Sequence, residues 1–287
     1  MNYWQAALLG FIQGATEFLP VSSSGHLVLV QHALGLESEN VTFNVALHAG
    51  TLLSILVAFR HDLLAILGNR RLLTAMVVAT LPVIPVGLFG KTLIEETLNT
   101  PVAAAVGLMI TATLLFLSPK VDHGDRGLDD IRLRDALTVG LFQAVAPAPG
   151  ISRSGSTIFG GLLSGLTREA AAKFAFLIAI PALGGALVLY SRKLLKGDSE
   201  SMPPGPMLLG TLIAFVVGLA AIKVMIRLVI RRKLRGFAWY CLFVGVAVLL
   251  TSVSTVRETP GPGAAEPPSA TTSESLSPAA TAGIASR

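Results

Sequence analysis

The sequence predicts an all-α polytopic membrane protein with six apolar spans and two broken, re-entrant helical hairpins. Three observations lead there. Hydrophobic residues make up 52% of the 287-residue chain and charged residues only 14%, with a mean hydropathy of +0.69, whereas about a quarter of a soluble domain is charged. Six apolar runs, near 42–59, 72–90, 102–118, 170–190, 207–226 and 236–253, each approach the roughly 20 residues that cross a bilayer as helix. Two further apolar regions, 3–36 and 134–167, are interrupted at their centres by Pro, Gly and Ser. Ala and Leu dominate and no ten-residue alternation occurs, so the spanning element is helix and not a barrel strand.

The first region opens with MNYWQAALLG, which has no Lys or Arg before its apolar run and is expected to remain in the mature protein. It breaks at QGATEFLPVSSSGH, residues 13–26, where Glu17, three serines and His26 surround a proline. A charge at the bilayer centre costs roughly 2.5–3.5 kcal/mol on insertion scales, so such residues face partners or water and mark a functional site. A long apolar region broken at its centre suits a hairpin whose arms return to the side they entered from. Three uninterrupted runs follow, and then the pattern recurs. Shifted by 130 residues, GFIQGATEFLPVSSSGH falls on GLFQAVAPAPGISRSGS, with Gly10 on Gly140, Gln13 on Gln143, Ser22 on Ser152, Ser24 on Ser154 and Gly25 on Gly155. Because three spans separate the hairpins, the second half begins on the opposite side of the membrane. The expectation is an inverted repeat, with halves of about 3–118 and 134–253 whose hairpins meet near the midplane.

Basic residues give the orientation. Loops 60–71 (Arg60, Arg70, Arg71), 119–135 (Lys120, Arg126, Arg132, Arg134) and 227–235 (Arg227, Arg231, Arg232, Lys233, Arg235) outweigh loops 91–101 (Lys91) and 191–206 (Arg192, Lys193, Lys196). The first set is expected in the cytoplasm. The first hairpin, and with it the site, then opens to the outer face. The net charge of +5 comes largely from such loops, which suits anionic lipid and gives no reason to expect nucleic acid. Cys241, the single cysteine, lies in an apolar run, so neither an intrachain disulfide nor a thiolate metal cluster is available. Residues 258–287, rich in Pro, Ser, Thr and Ala, are expected to be disordered and outside a membrane unit spanning 1–257.

Between Gly10 and Leu27 the titratable groups are Glu17 and His26; between Gly140 and Leu166 there is only Arg153. If the hairpins meet, PGISRSGST at 149–157 reads as an anion cradle. Pro149-Gly150 turns the chain, and a helix begins among Ser152, Ser154 and Thr157 with its free N–H groups aimed at the ligand. Arg153 adds a planar fork suited to phosphate oxygens. Gln13, four residues before Glu17, shares its helical face, and the two oxygen donors suit a hard divalent cation, Mg²⁺ or Ca²⁺. His26 can act as base, nucleophile or acid near neutral pH, and Ser22, Ser23 and Ser24 offer hydroxyls for phosphate or for nucleophilic attack. His48, in NVALHAGTLL, is read mainly as a packed residue, with room for a part in lining the same cavity.

QGATEFLPVSSSGH, with its (E/Q)xxxE pattern, and PGISRSGST together make the chain resemble the undecaprenyl pyrophosphate phosphatase family of bacitracin-resistance membrane enzymes, over about residues 3–255. The resemblance implies hydrolysis of the terminal phosphate of undecaprenyl pyrophosphate in the bacterial plasma membrane, recycling the lipid carrier for cell-wall synthesis. Matched residue by residue, it implies Gln13, Glu17, Ser22, Ser23, His26, Ser152, Arg153 and Thr157. The first motif position is Gln where other members have Glu. Whether serine, histidine or water attacks stays open at this stage, and a homodimer is one further arrangement to test. The chief alternative is a lipid transporter or flippase, since inverted repeats with broken helices serve alternating access. A type-2 phosphatidic acid phosphatase, suggested by SSSGH, is a weaker reading, because it needs a histidine after the Ser-Arg segment and none follows SRSGST in this chain.

Overall fold

The computed structural model describes residues 1–36, 41–90, 97–98, 100–195 and 202–258. Nearly all of the segment 258–287 read as a disordered tail lies outside the described residues. Twelve helices are described: α1 Tyr3–Phe18, α2 Ser23–Ala33, α3 Val41–Ala58, α4 Arg60–Leu67, α5 Arg70–Thr80, α6 Val83–Phe89, α7 Pro101–Val121, α8 Leu133–Ala144, α9 Arg153–Leu163, α10 Arg168–Leu195, α11 Pro204–Ile230 and α12 Leu234–Glu258. Beyond an isolated bridge between Arg126 and Leu166, the described residues contain no strand.

Five segments are long and apolar enough to cross a bilayer: Arg70–Phe89 (α5 with α6), Pro101–Val121, Arg168–Ser191, Pro204–Ile230 and Leu234–Thr251. A sixth forms if α3 and α4, bent by 72° at their junction, count as one span. These match the six apolar runs. The difference lies at residues 60–67, read as loop from Arg60-His61-Asp62 but folded as α4. Asp62 in its first turn complements the helix N-terminus, so the charges that looked like a loop also suit a helix start. Leu53, Val57, Val77, Ile84, Val106, Leu212 and Val216 are exposed apolar side chains on these spans, as expected where the outer solvent is lipid.

The two interrupted regions are the helix pairs α1–α2 and α8–α9. Asn2 and Gln5 form a capping box that starts α1. Pro20 disfavours continuation of the helix, and Leu19 turns extended (φ −71°, ψ 146°). Pro147, Pro149 and Gly150 do the same after α8, with Gly150 at φ +84°, a conformation that suits glycine alone.

Small residues set the helix contacts. A Cβ at Gly10 would strike the carbonyl oxygen of Gly210, and one at Gly14 would lie 2.6 Å from that of Ala214. Residues four apart on α1 and α11 thus let the two backbones touch. On α8, a Cβ at Gly140 would come within 2.6 Å of the Ala79 carbonyl on α5. Each hairpin's first arm therefore packs on a span of the other half, while α7 packs along α12. Helix α9 is enclosed on every face from Ser154 to Leu162. Arg126 ties the outer ends of the second hairpin together, pairing with Asp135 at the start of α8 and bonding the Ser164 carbonyl after α9. The outer ends of the first hairpin, Ala6 and Leu36 among them, share a cluster instead with Met202 and Met207.

The α1–α11 contact leads to a prediction. Gly14→Val forces a branched side chain into backbone contact, and overpacking of this kind costs about 1–3 kcal/mol. The purified variant should melt several degrees below wild type in detergent, whereas Gly87→Ala on α6, where a Cβ meets nothing within 4 Å, should melt as wild type does.

Candidate active site

The tips of the two hairpins meet. A Cβ at Gly25 would lie 2.9 Å from the Gly150 Cα, and one at Gly155 would lie 3.2 Å from Pro20. Ser154 Oγ donates to the Leu19 carbonyl at 3.1 Å, which stitches the start of α9 to the break after α1. Thr111, from α7, donates to the Gly150 carbonyl at 2.9 Å and accepts from the Ser152 amide at 2.8 Å. At the breaks the Leu19 and Gly150 carbonyls and the Ser152 amide are thus met by protein side chains, as lipid requires.

Both breaks restart in the same way. Ser22 caps α2, its Oγ accepting from the Gly25 amide at 3.2 Å; Ser152 caps α9, its Oγ accepting from the Gly155 amide at 3.1 Å. In each cap the next serine but one is close, with Ser22 Oγ 3.3 Å from Ser24 Oγ and Ser152 Oγ 3.2 Å from Ser154 Oγ. The first amides of α2 and α9, on Ser23, Ser24, Arg153 and Ser154, lie where a helix supplies no carbonyl partner. Ser22 adopts φ 67°, a region costly for a non-glycine residue, and the positive φ of the second hairpin falls on Gly150 instead.

At the crossing lies one cluster of polar side chains. Glu17, buried at the end of α1, accepts from Gln13 Nε2 at 3.0 Å and from Ser23 Oγ at 2.5 Å, both on Oε2. Arg153, from the other half, pairs with Oε1 of the same carboxylate. His48 Nε2 stands 3.9 Å from Oε2, while its Nδ1 bonds the Asn44 carbonyl at 2.8 Å. Gln13 Oε1, fully buried, has no hydrogen-bond partner. Thr157 Oγ1 turns back to the Arg153 carbonyl at 2.7 Å, inside α9.

His26 stands apart from this cluster. Its Nδ1 lies 2.8 Å from the Ser22 carbonyl and its Nε2 lies 2.8 Å from the Tyr240 hydroxyl. Gln13, Glu17, Ser23 and Arg153 are thus brought together; Ser22, Ser152, Ser154 and Gly150 form the scaffold around them, with Ser24 at the cap of α2. His48, Tyr240 and Thr111 are the residues sequence reading did not assign to the site. A histidine at membrane depth was the available signal for His48; Tyr240 and Thr111, on plain apolar spans, offered none.

The arrangement can hold a doubly charged phosphate group. Two helix N-termini and a guanidinium supply positive potential, and a serine hydroxyl already rests on a carboxylate. For a divalent cation the donor set is one carboxylate, one buried amide oxygen without a partner and a nearby imidazole; among the described residues no group of three or more His, Cys, Asp or Glu is placed to hold a metal ion. Such a set leaves room for phosphate oxygens and water to complete the shell of a hard cation. Two surface clefts of about 360 and 630 Å³, one lined by residues such as Asp62 and Asp129, the other by Asp122 and Arg232, share no residue with the cluster.

Comparison with known proteins points to one family. A family model described as bacitracin resistance protein BacA matches residues 6–247. An undecaprenyl-diphosphatase of Rhodopirellula baltica is 42% identical over 251 residues, covering 87% of this chain and 98% of the relative. Those of Korarchaeum cryptofilum (41% over 267 residues; 87% and 99% covered) and Alkaliphilus metalliredigens (38% over 274 residues; 88% and 100% covered) are similar over the same extent.

The Glu17–Arg153 pair makes a prediction about stability alone. Removing one partner of a buried pair leaves a lone charge and costs about 3–5 kcal/mol, while removing both costs far less. Arg153 keeps some exposure, so the low end applies. In detergent melts Glu17→Ala should therefore be less stable than Glu17→Ala with Arg153→Ala; a double variant as unstable as the sum of the singles would show that the pair is not coupled.

Proposed function

The chain belongs to the bacitracin resistance protein BacA family, and on that premise we propose that it hydrolyses undecaprenyl pyrophosphate to undecaprenyl phosphate and inorganic phosphate, recycling a lipid carrier for cell-wall synthesis and conferring bacitracin resistance. The observation that carries the mechanism is the Ser23 hydroxyl donating to Glu17 at 2.5 Å, beside Arg153 and the starts of α2 and α9.

The pyrophosphate enters among these amides, and Arg153 moves its fork from Glu17 to the phosphate oxygens, where bidentate bonding is strongest. The exchange frees the Glu17 carboxylate. Ser23 then attacks the terminal phosphorus and gives its proton to Glu17; the bond from that phosphorus to the bridging oxygen breaks, and undecaprenyl phosphate leaves. Water next attacks the phosphoserine, releasing inorganic phosphate and returning the proton to Ser23. His26, three residues beyond Ser23 on α2 and so on a neighbouring face, serves the proton transfers of this second step. Positioning and electrostatics do most of the work in phosphoryl transfer, and Arg153 with the helix N-termini supplies both. Gln13 Oε1 and Glu17 would hold a divalent cation, Mg²⁺ or Ca²⁺, which when bound adds charge neutralisation at the pyrophosphate.

The two halves are proposed to be inverted relative to each other. Support comes from the exchange of partners, α1 on α11 and α8 on α5, and from the outer ends of the hairpins packing with different parts of the chain, 202–207 and 126–135. With loops 60–71, 119–135 and 227–235 in the cytoplasm of a bacterium, the first hairpin opens outward, where a carrier released by external polymer synthesis presents its pyrophosphate. The apolar chain lies along the spans. A homodimer is compatible with this arrangement and is read from the mass of the purified particle.

Two experiments test the reading. Phosphate release from a polyprenyl pyrophosphate in detergent should fall with EDTA and return with Mg²⁺ or Ca²⁺, and Ser23→Ala and Arg153→Ala should each lose at least the roughly 10²–10³-fold of a single oxyanion donor. Full activity in chelator would remove the cation, and an active Ser23→Ala would remove the nucleophile. For orientation, single cysteines replacing Thr97 and Gly68 in a Cys241→Ser background should react differently with an impermeant thiol reagent on intact cells, position 97 labelled and 68 spared. The reverse pattern overturns the orientation.

A further inference from the structure

Tyr240 belongs to α12, far from both motif segments, yet it holds the catalytic-motif histidine. Its hydroxyl lies 2.8 Å from His26 Nε2, and its ring stacks on the imidazole with centroids 5.6 Å apart and planes 9° from parallel. The Ser22 carbonyl, 2.8 Å from Nδ1, can only accept, so Nδ1 carries a hydrogen. In the neutral ring Nε2 is then the lone-pair nitrogen, and the Tyr240 O–H donates to it. His26 is buried and fixed at both nitrogens, whereas Tyr240 is half-exposed. The adjacent Trp239 makes an edge-on contact with Phe116 and serves packing. Phenylalanine would stack on His26 as well as tyrosine does, so the hydroxyl is the part that acts on the imidazole.

We propose that Tyr240 is a positioning residue for His26: its hydroxyl fixes the tautomer and plane of the ring, keeping the lone pair on Nε2 until a water or phosphate oxygen takes its place. The inference rests on the phosphatase reading, in which His26 handles protons around the Ser23 phosphoenzyme. It explains why a tyrosine of the last span reaches into the first hairpin. It also assigns α12 a share in a site whose motif residues all come from the two hairpins.

The test uses the full chain in detergent, with farnesyl pyrophosphate as probe and phosphate release as readout, for wild type, Tyr240→Phe, His26→Ala, the double variant and Trp239→Phe as control. Misplacing a catalytic group by about 1 Å can cost roughly a hundredfold. Tyr240→Phe should accordingly lower kcat about ten- to a hundredfold with KM changed less than about threefold, while Trp239→Phe matches wild type. The double variant should be no slower than His26→Ala alone. In NMR spectra of isotope-labelled histidine, with His26 assigned by its loss in His26→Ala, wild type should show one tautomer and Tyr240→Phe a mixture. An active wild type with an equally active Tyr240→Phe overturns this inference and leaves the phosphatase reading standing. Losses that multiply in the double variant, or an unchanged His26 tautomer, overturn it too. An inactive wild type overturns both.

Discussion

Glu17 and Arg153 are opposite charges at membrane depth, drawn from segments 136 residues apart, and lipid offers a partner to neither. Bringing them together requires the tips of both hairpins to reach one point. That meeting in turn dictates glycine where backbones cross: at Gly25 beside Gly150, and at Gly107, where a Cβ would strike the Pro149 carbonyl. It also dictates serines and a threonine where broken helices need partners. A buried ion pair is poor evidence for stability, because desolvation consumes most of its attraction. Its value here is chemical. The pair holds a guanidinium and a carboxylate buried and adjacent beside the starts of two helices.

The repeated segments divide scaffold from chemistry. Ser22 and Ser152 cap their helices by the same bond, and Ser24 and Ser154 stand at the same distance from them. On this shared frame the reactive positions diverge: Ser23 corresponds to Arg153, and His26 to Ser156, whose buried hydroxyl has no partner. One half carries a carboxylate with a serine hydroxyl donating to it and a histidine, the other a guanidinium. A site in which both halves carried an acid would repel its substrate, and one in which both carried arginine would lack a base. The two segments thus share a frame and differ in the side chains that they bring to it, and the cluster needs both.

Much of this was legible in the residues. Span positions follow from hydropathy because lipid enforces it, and the breaks follow from proline and serine because a helix in hydrocarbon must be capped. The meeting of the hairpins was legible from the repeat and the three spans between its halves, but the direct pairing of Glu17 with Arg153 was not, since Glu17 reads toward a cation and Arg153 toward phosphate. Less legible were the bend between α3 and α4, where Arg60, His61 and Asp62 suit a loop and a helix start equally, and the roles of His48, Thr111 and Tyr240. Thr111 and Tyr240 act through side-chain reach from ordinary spans, and periodicity cannot tell a hydroxyl that packs from one that bonds across the bundle.

The partner exchange of α1 has a consequence for biogenesis. A nascent chain emerges N-terminus first, so Glu17 leaves the ribosome 136 residues before Arg153, an interval of roughly 7–27 s at typical elongation rates of 5–20 residues per second. Helix α11, against which Gly10 and Gly14 seat, and Tyr240, which holds His26, arrive later still. During that interval the first hairpin has no permanent berth, and its carboxylate must be kept hydrated or sheltered by the insertion machinery. The seat of α1 is thus completed only when α11 has been made, so the first hairpin is the earliest part of the site to be synthesised and among the last to be packed.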